Sequence, residues 1–328
     1  MKDPYELTII ISNYNQEEHI AETIDSALSQ IVNFPVKIII TDDYSCHDQS
    51  RVIIKDYASR YHNIEPIFGE ENKGYLANIL RAKIRTKTKY FCLLDADDYW
   101  KDRDFLQRAR DFLEEHDEYS IYEANVEVVG DHRYPIISPK IKSGTYSKDM
   151  FIAGKSIPIT QTTGMVFRNC IFKDGIPDIM SSAVGTRSER SFEGDTGRFL
   201  MHLKYGFAYY DKKVVGGYRI TDYGIWISLS DAMKRIITAR LFLDCYRFYG
   251  SDVGFFANKS YKYLQAYLSE KLKELAGLSI SSYEFIDEYE KLLFNDVYSF
   301  CKQYADEIGI QKVSLKEKIK KILKILRE

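Results

Sequence analysis

Three aspartates within four residues, Asp95, Asp97 and Asp98, directly follow an apolar run from Tyr90 to Leu94. Carboxylates this close repel one another unless a proton or a cation neutralises them. The Asp-x-Asp spacing sets Asp95 and Asp97 on the same side of an extended chain. That suits Mg²⁺ or Mn²⁺, hard ions that keep waters and share phosphate oxygens with one or two carboxylates. The same residues also make an acidic turn in which Asp98 or Asp102 caps the next helix. Asp42-Asp43 closes a second apolar run, Val36 to Thr41, either as an Asx turn or as acceptors for a base N–H or ribose hydroxyls. Ser12-Asn13-Tyr14-Asn15 closes a third, and Tyr14 is either core or a ring that stacks on a base.

The elements that position these clusters follow from hydrophobic spacing. Leu7 to Ile11 is a buried-strand run, and Asn15 reads as the cap of a helix with Glu18 three residues on and an apolar stripe of Ile20, Ile24, Leu28 and Ile31. A helix over Asp48 to Tyr61 and a strand over Ile64 to Phe68 come next. After an Asn72-Lys73-Gly74 turn, Leu76, Ile79, Leu80 and Ile84 mark a third helix, and Phe105 to Leu113 a fourth. Four βα units imply a parallel three-layer sheet, whose ligands sit beyond the carboxyl ends of the strands. From 120 to 230, strand-like pieces (Ile121 to Val129, Gly164 to Phe167, Val214 to Tyr218) alternate with long Gly-, Ser- and Pro-containing loops. From about Asp231 the pattern is helical. The expected division is therefore 1–230 and 231–328.

The 328 residues are 45% hydrophobic and 29% charged, enough to bury a core and stay soluble, and the net charge of −2 makes no case for nucleic acid. Five scattered cysteines lack CxxC spacing and read as reduced thiols. The opening MKDPYELTIIISNYN lacks the layout of a signal peptide, and no apolar run approaches a bilayer span, so a cytoplasmic protein is expected.

Taken in order, "TIIISNYNQEEHIAETIDSALSQ", "IIITDDYSCHDQS", "ENKGYLANI" and "YFCLLDADDYW" resemble the family 2 glycosyltransferases across about residues 5–110, and more weakly to about 225. The resemblance implies a GT-A, Rossmann-like three-layer α/β domain with a C-terminal helical extension. The nucleotide-sugar half would be about 1–110 and the acceptor half about 111–230. The implied reaction is sugar transfer from a nucleotide diphosphate with inversion, aided by Mn²⁺ or Mg²⁺. By position, Ser12, Tyr14 and Asn15 match the nucleotide-receiving strand end, Asp43 a carboxylate that accepts from a uracil-type base, and Lys73, Gly74 and Asn78 the donor-flanking loop. Asp95 and Asp97 fall on the donor side, and Asp97 and Asp98 match the metal and diphosphate end.

An inverting transferase needs one base for the acceptor hydroxyl. Asp195, in Ser191-Phe192-Glu193-Gly194-Asp195, matches the family's base and also reads as the cap of a helix over Thr196 to Tyr205, with Glu193 as the fallback. Gln161 to Phe167 is expected to line the acceptor side, and Ile179 to Glu189 to form a lid. Arg187 and Arg190 meet diphosphate charge or are solvated. Trp100 and Trp226 are candidate sugar platforms, and Thr221 replaces the histidine of the family's Tyr-Arg-x-His. Asp43 favours a UDP-sugar, and a glycan or polyprenyl-linked glycan is the expected acceptor, in O-antigen or capsule synthesis. A sugar nucleotidyltransferase would need a Gly- and Lys-bearing loop after the first strand, which Ser12-Asn13-Tyr14-Asn15 is not. A non-catalytic nucleotide- or carbohydrate-binding relative is the remaining alternative.

Residues 315–328, LKEKIKKILKILRE, place Leu315, Ile319, Ile322 and Leu326 on one helical face among Lys316, Lys318, Lys320, Lys321, Lys324 and Arg327. Such a helix suits the anionic inner face of the cell membrane, or docks on the helical extension with its basic face solvated. On the first reading, deleting 312–328 releases the protein from anionic vesicles in a flotation assay and spares donor hydrolysis. Vesicle binding that survives the deletion excludes it.

Overall fold

The computed structural model describes residues 4–130, 133–186, 188–220, 226, 228–250, 254–276, 288–307, 317 and 320. Contacts divide the chain into two units. The first comprises Met1–Gly185 and Glu193–Ile220, the second Thr186–Phe192 and Thr221–Glu328. The division falls ten residues before the expected one, and a short piece of the acceptor half, Thr186–Phe192, joins the helical unit.

The first unit opens with four strands, β1 (Leu7–Asn13), β2 (Val36–Asp42), β3 (Ile64–Phe68) and β4 (Tyr90–Asp95), alternating with α1 (Ile20–Leu28), α2 (Ser50–Arg60) and α3 (Tyr75–Lys83). These strands are parallel in the order β3-β2-β1-β4, with Ser12 opposite both Thr41 and Asp95. The register brings the three polar strand ends to one edge. Isoleucine-rich runs fill this half because both faces of the sheet are covered; Ile9, Ile11, Ile38, Ile40 and Leu94 share a core with Ile20, Ile24 and Ile54.

Beyond β4 the sheet is mixed, not parallel. A two-residue strand β5 (Tyr99–Trp100) precedes α4 (Phe105–Glu115), and β6 (Tyr119–Val129), β7 (Tyr134–Pro135) and β8 (Gly144–Tyr146) follow. The chain then passes α5 (Lys148–Ile152) and a 3₁₀ turn (Thr162–Gly164) into β9 (Met165–Arg168), which runs antiparallel to both β4 and β6. Short helices α6 (Asp178–Ser181) and α7 (Glu189–Glu193), then α8 (Asp195–Leu203), lead to β10 (Phe207–Arg219), parallel to β6 and antiparallel to β5 and β8. The excursion from 130 to 164 turns the chain back at the carboxyl end of β6, so that β9 runs antiparallel to it, which is why βα counting fails here. A Cβ at Gly164 would run into Ala124 O, so the backbone of the turn before β9 can lie against β6 only without a side chain.

The helix expected from Asn15 begins five residues later. The amides of Asn15, Gln16 and Glu17 are held by Ser45 Oγ, Ser50 Oγ and Asp48 Oδ2 at 2.8, 3.0 and 2.9 Å, and Asn15 is left-handed at φ 49°. A left-handed residue at Asn15 takes the backbone off the right-handed helical path at the expected start. Ile31 lies past the end of α1 and is exposed.

In the second unit α9 (Asp231–Tyr249), α10 (Gly254–Ala276) and α11 (Glu288–Glu307) pack around Ile236, Leu243, Leu264, Leu268, Leu293 and Val297. Ser230 caps α9 by accepting from Met233 N at 3.2 Å, and Gly250 ends it at φ 90°. No helix among the described residues is long and apolar enough to cross a membrane. The basic amphipathic segment 315–328 lies outside the described residues save 317 and 320, as do Arg187 and Thr221.

Trp100, on β5 beside Gly216 of β10, is 4% exposed, with Nε1 donating to Thr163 O at 2.7 Å and its backbone N to Ser26 Oγ at 3.1 Å. Trp100→Ala is expected to cost about 3–5 kcal/mol, read as a lower denaturation midpoint in urea.

Candidate active site

At the edge where β1, β2 and β4 end, hydrogen bonds hold the loops rigid. Asn13 Nδ2 donates to Asp42 Oδ2 at 2.8 Å, and Ser45 N to Asp42 Oδ1 at 3.1 Å. Asp43 accepts from Lys73 N and Gly74 N at 3.0 and 2.8 Å and from Arg81 at 2.9 Å, fastening the turn that opens α3, where Gly74 takes φ 87°. Asn78 is buried, donates to Ser12 Oγ at 3.1 Å, and accepts from Arg81 at 2.9 Å. Asn78 is thus a bridge between α3 and β1, not a surface for a donor. Ser12 keeps partial exposure, Tyr14 is 45% exposed, and Lys73 Nζ pairs with Glu71 at 2.9 Å.

The β4 cluster is divided in function by its surroundings. Asp98, 1% exposed, spends both oxygens on the protein, accepting from Thr163 Oγ and from Arg219 N at 3.0 Å. It staples the strand end to β10 and the 3₁₀ turn, so the expected metal role does not fit it. Asp97 has its backbone carbonyl held by Arg219, whose guanidinium also reaches Glu22 at 2.6 Å and lies over the Tyr99 ring. Asp95 accepts from Tyr75 Oη at 2.8 Å. Thr23 Oγ, within α1, lies 2.8 and 2.7 Å from Ala96 O and Asp98 O and fixes the turn from behind.

Asp195 arrives from the other half of the unit, as the first residue of α8. Its Oδ1 accepts from Thr162 Oγ and lies 3.6 Å from the buried guanidinium of Arg198, one helical turn on. Gly194 is the N-cap of α8, so Asp195 stands at the first helical position and not at the cap.

Burial raises all four carboxylates above the ordinary carboxylate value. Asp95 rises to about 7, through burial, then Asp97, with Arg198 and Tyr75 opposing. Asp97 and Asp98 are raised by burial, Asp98 also by Asp95 and Asp97. Burial raises Asp195 as well, against Arg198 and Thr162. Tyr218 feels Asp98, Asp195, Asp95 and Asp97 together and is pushed up to about 12, mostly by burial. The four carboxylates therefore converge on one place. Among the described residues no three His, Cys, Asp or Glu side chains form a metal cage. Asp97 and Asp95, both raised by burial, fit a hard divalent cation that completes its shell with water and phosphate oxygens.

The sequence model of glycosyl transferase family 2 matches residues 8–176, the stretch that holds every strand of this edge. The chain belongs to glycosyl transferase family 2. An uncharacterised Mycobacterium tuberculosis protein is 33% identical over 177 residues, covering 52% of this chain and 49% of its own. The Bacillus subtilis putative teichuronic acid biosynthesis glycosyltransferase TuaG is 33% identical over 110 residues, 33% of this chain and 42% of its own. The chain thus spans about half the length of the curated relatives it matches. Among solved structures, Staphylococcus aureus TarS 1-349 with UDP-GlcNAc superposes with TM-score 0.53 at 17% identity over 92% of each chain. The Pyrobaculum calidifontis mannosyltransferase PcManGT with GDP-Man and Mn²⁺ superposes with TM-score 0.52 at 14% identity over 100% of this chain and 88% of that one. The GT-A fold is common to them.

In this family 2 chain the remaining candidates separate. Trp100 faces the core, so its ring cannot platform a sugar, and Trp226, half exposed, belongs to the second unit. Glu193 ends α7, with its side chain outside the described residues. Thr23, Tyr75, Thr162, Thr163 and Arg198 were missed as positioning residues. Two left a trace: Thr23 interrupts an apolar stripe, and Arg198 stands three residues after Asp195.

Folded carboxylates with raised values hold protons that the unfolded chain releases between 3.8 and about 7. Without cations, stability therefore falls as pH rises through that window. Deprotonated carboxylates bind metal, so Mn²⁺ with UDP is expected to raise Tm more at about pH 8 than at about pH 5.5. Equal shifts in a thermal melt would rule out these carboxylates as the binding groups.

Proposed function

We propose that this chain transfers a sugar from a nucleoside-diphosphate donor, a UDP-sugar before a dTDP- or GDP-sugar, to a hydroxyl of a glycan or lipid-linked glycan, with inversion. The observation that carries the reading is the convergence of Asp195, from the acceptor half, on Asp95 and Asp97 at the end of β4. The acceptor oxygen attacks the anomeric carbon as its proton passes to Asp195, and the carbon–oxygen bond to the diphosphate breaks with its electron pair leaving on the diphosphate. Burial makes Asp195 a stronger base than a surface carboxylate, while Arg198 opposes that rise and Thr162 holds one oxygen in place. Asp97 and Asp95 are the residues that would hold Mn²⁺ or Mg²⁺, which when bound compensates the charge of the leaving diphosphate.

On the donor side, Asp43 is fixed by three donors, and a carboxylate has about four lone-pair sites. One is left for a pyrimidine imide N–H, and exposed Tyr14 supplies a ring for the base. TarS is named with UDP and PcManGT with GDP-Man and Mn²⁺, so both base classes occur on this fold. Relatives named for teichuronic and teichoic acid synthesis support a cell-surface glycan as product. A peripheral position at the inner face of the membrane, through residues 315–328, belongs to the same proposal.

Calorimetry with UDP, dTDP and GDP, with and without Mn²⁺, tests the donor half; metal-dependent preference for UDP is expected. Asp195→Asn should retain that binding and lose about 10²–10⁴-fold in kcat, measured as UDP release from a panel of UDP-sugars. Full turnover by this variant sinks the base assignment, and no binding of any nucleotide by folded protein sinks the transferase reading.

A further inference from the structure

Asp95 offers its two oxygens unequally. Oδ1 accepts from Tyr75 Oη at 2.8 Å, whereas among the described residues no donor bonds Oδ2, and the side chain keeps partial exposure. The phenol is carried by a fixed piece of backbone. Tyr75 is the first residue of α3, the Gly74 amide before it donates to Asp43 Oδ2 at 2.8 Å, and Asn78 N closes the first turn on Gly74 O at 3.0 Å. Asn78 in turn donates to Ser12 Oγ of β1 at 3.1 Å. All of these groups belong to the first unit.

The chemistry of the donor matters. A phenol gives one neutral O–H, so it fixes the carboxylate without cancelling its charge. An ammonium in the same place would compete with a cation for that charge. Hydrogen bonds that orient a ligating carboxylate set how it meets a metal. A cation that takes Asp95 by both oxygens competes with Tyr75 for Oδ1, and one that takes a single oxygen does not. Ca²⁺ gathers about six to eight oxygens and commonly holds a carboxylate by both, whereas Mg²⁺ keeps a near-octahedral shell with several waters. Mn²⁺ shares the octahedral oxygen preference.

We propose that Tyr75 is a specificity-determining residue for the cation: by holding Oδ1 it makes Asp95 a one-oxygen ligand, which suits Mn²⁺ or Mg²⁺ and disfavours Ca²⁺. This rests on the reading of Asp95 and Asp97 as the residues that would hold the metal.

The test compares full-length wild type, Tyr75→Phe and Asp95→Asn. UDP is titrated by calorimetry in EDTA and with Mn²⁺, Mg²⁺ or Ca²⁺ at equal concentration. The readout is the gain in UDP affinity that each cation brings over EDTA, so no turnover is needed. Wild type is expected to gain more from Mn²⁺ and Mg²⁺ than from Ca²⁺. In Tyr75→Phe the Mn²⁺ gain falls by about tenfold or more while the Ca²⁺ gain holds, closing the gap. Asp95→Asn loses the Mn²⁺ gain. Wild type that gains as much from Ca²⁺ as from Mn²⁺ overturns the selectivity, an arm that stands even where Tyr75→Phe fails to fold. An unchanged gap in folded Tyr75→Phe overturns the role of Tyr75 alone. Asp95→Asn that keeps the Mn²⁺ gain overturns Asp95 as a ligand and the inference with it, and wild type that binds no UDP under any condition overturns the donor reading itself.

Discussion

Crowding of negative charge at one edge of the sheet is the constraint on which the rest of the molecule depends. Asp95, Asp97, Asp98 and Asp195 are brought together by strands and a helix that the core has already fixed, and burial makes their ionisation more costly. The chain relieves this unevenly. Asp98 is satisfied by protein donors alone, Asp195 by one hydroxyl and a guanidinium, and Asp95 by a phenol. Asp97 is eased by its own backbone amide and by the charges of His19 and Arg219, and what burial leaves uncompensated at this edge is what a divalent cation and a diphosphate would answer. An edge designed for stability alone would carry no such deficit.

The same reasoning separates carboxylates that look alike in sequence. Asp97 and Asp98 are adjacent, and nothing in an Asp-Asp dipeptide says which is available. The difference comes from Thr163 and the backbone of Arg219, more than sixty and a hundred residues away in the chain. Asp42 and Asp43 divide in a similar way, Asp42 tying β1 to its neighbouring loop and Asp43 closing the turn before α3. A polar residue at a strand end is therefore as often a fastening for the site as a part of its chemistry.

What could be read in advance follows the range of the interactions responsible. The β1–α3 region was legible because its strands are short apolar runs and its helices have periodic stripes, both local signals; Ile64–Phe68 is a strand as read. The mixed half was not. β9 pairs antiparallel with β4 and β6 because a long excursion turns the chain round, and no local pattern in Met165–Arg168 records direction. Trp100 shows the same limit from the side-chain end: a tryptophan beside an acidic cluster suits a sugar platform, yet tertiary packing puts its indole N–H on Thr163 O and its ring against Phe105. Asn15 failed as a helix cap because its left-handed backbone leaves the right-handed helical path there.

Asp195, the proposed base, occupies the most contingent position of all. Its basicity is a balance between burial, which raises its proton affinity, and Arg198, which lowers it, so a shift of α8 by a fraction of a helical turn alters both terms at once. Thr162 sets one of its oxygens, and Thr162 is itself placed by the turn that Gly164 allows against β6. On the other side, Gly194 is exposed and extended, and its carbonyl accepts from Arg198 N at 3.2 Å. Asp195 is thus set by the turn before β9 and by its own helix α8, both of the first unit, just as the donor edge is set by that unit's core.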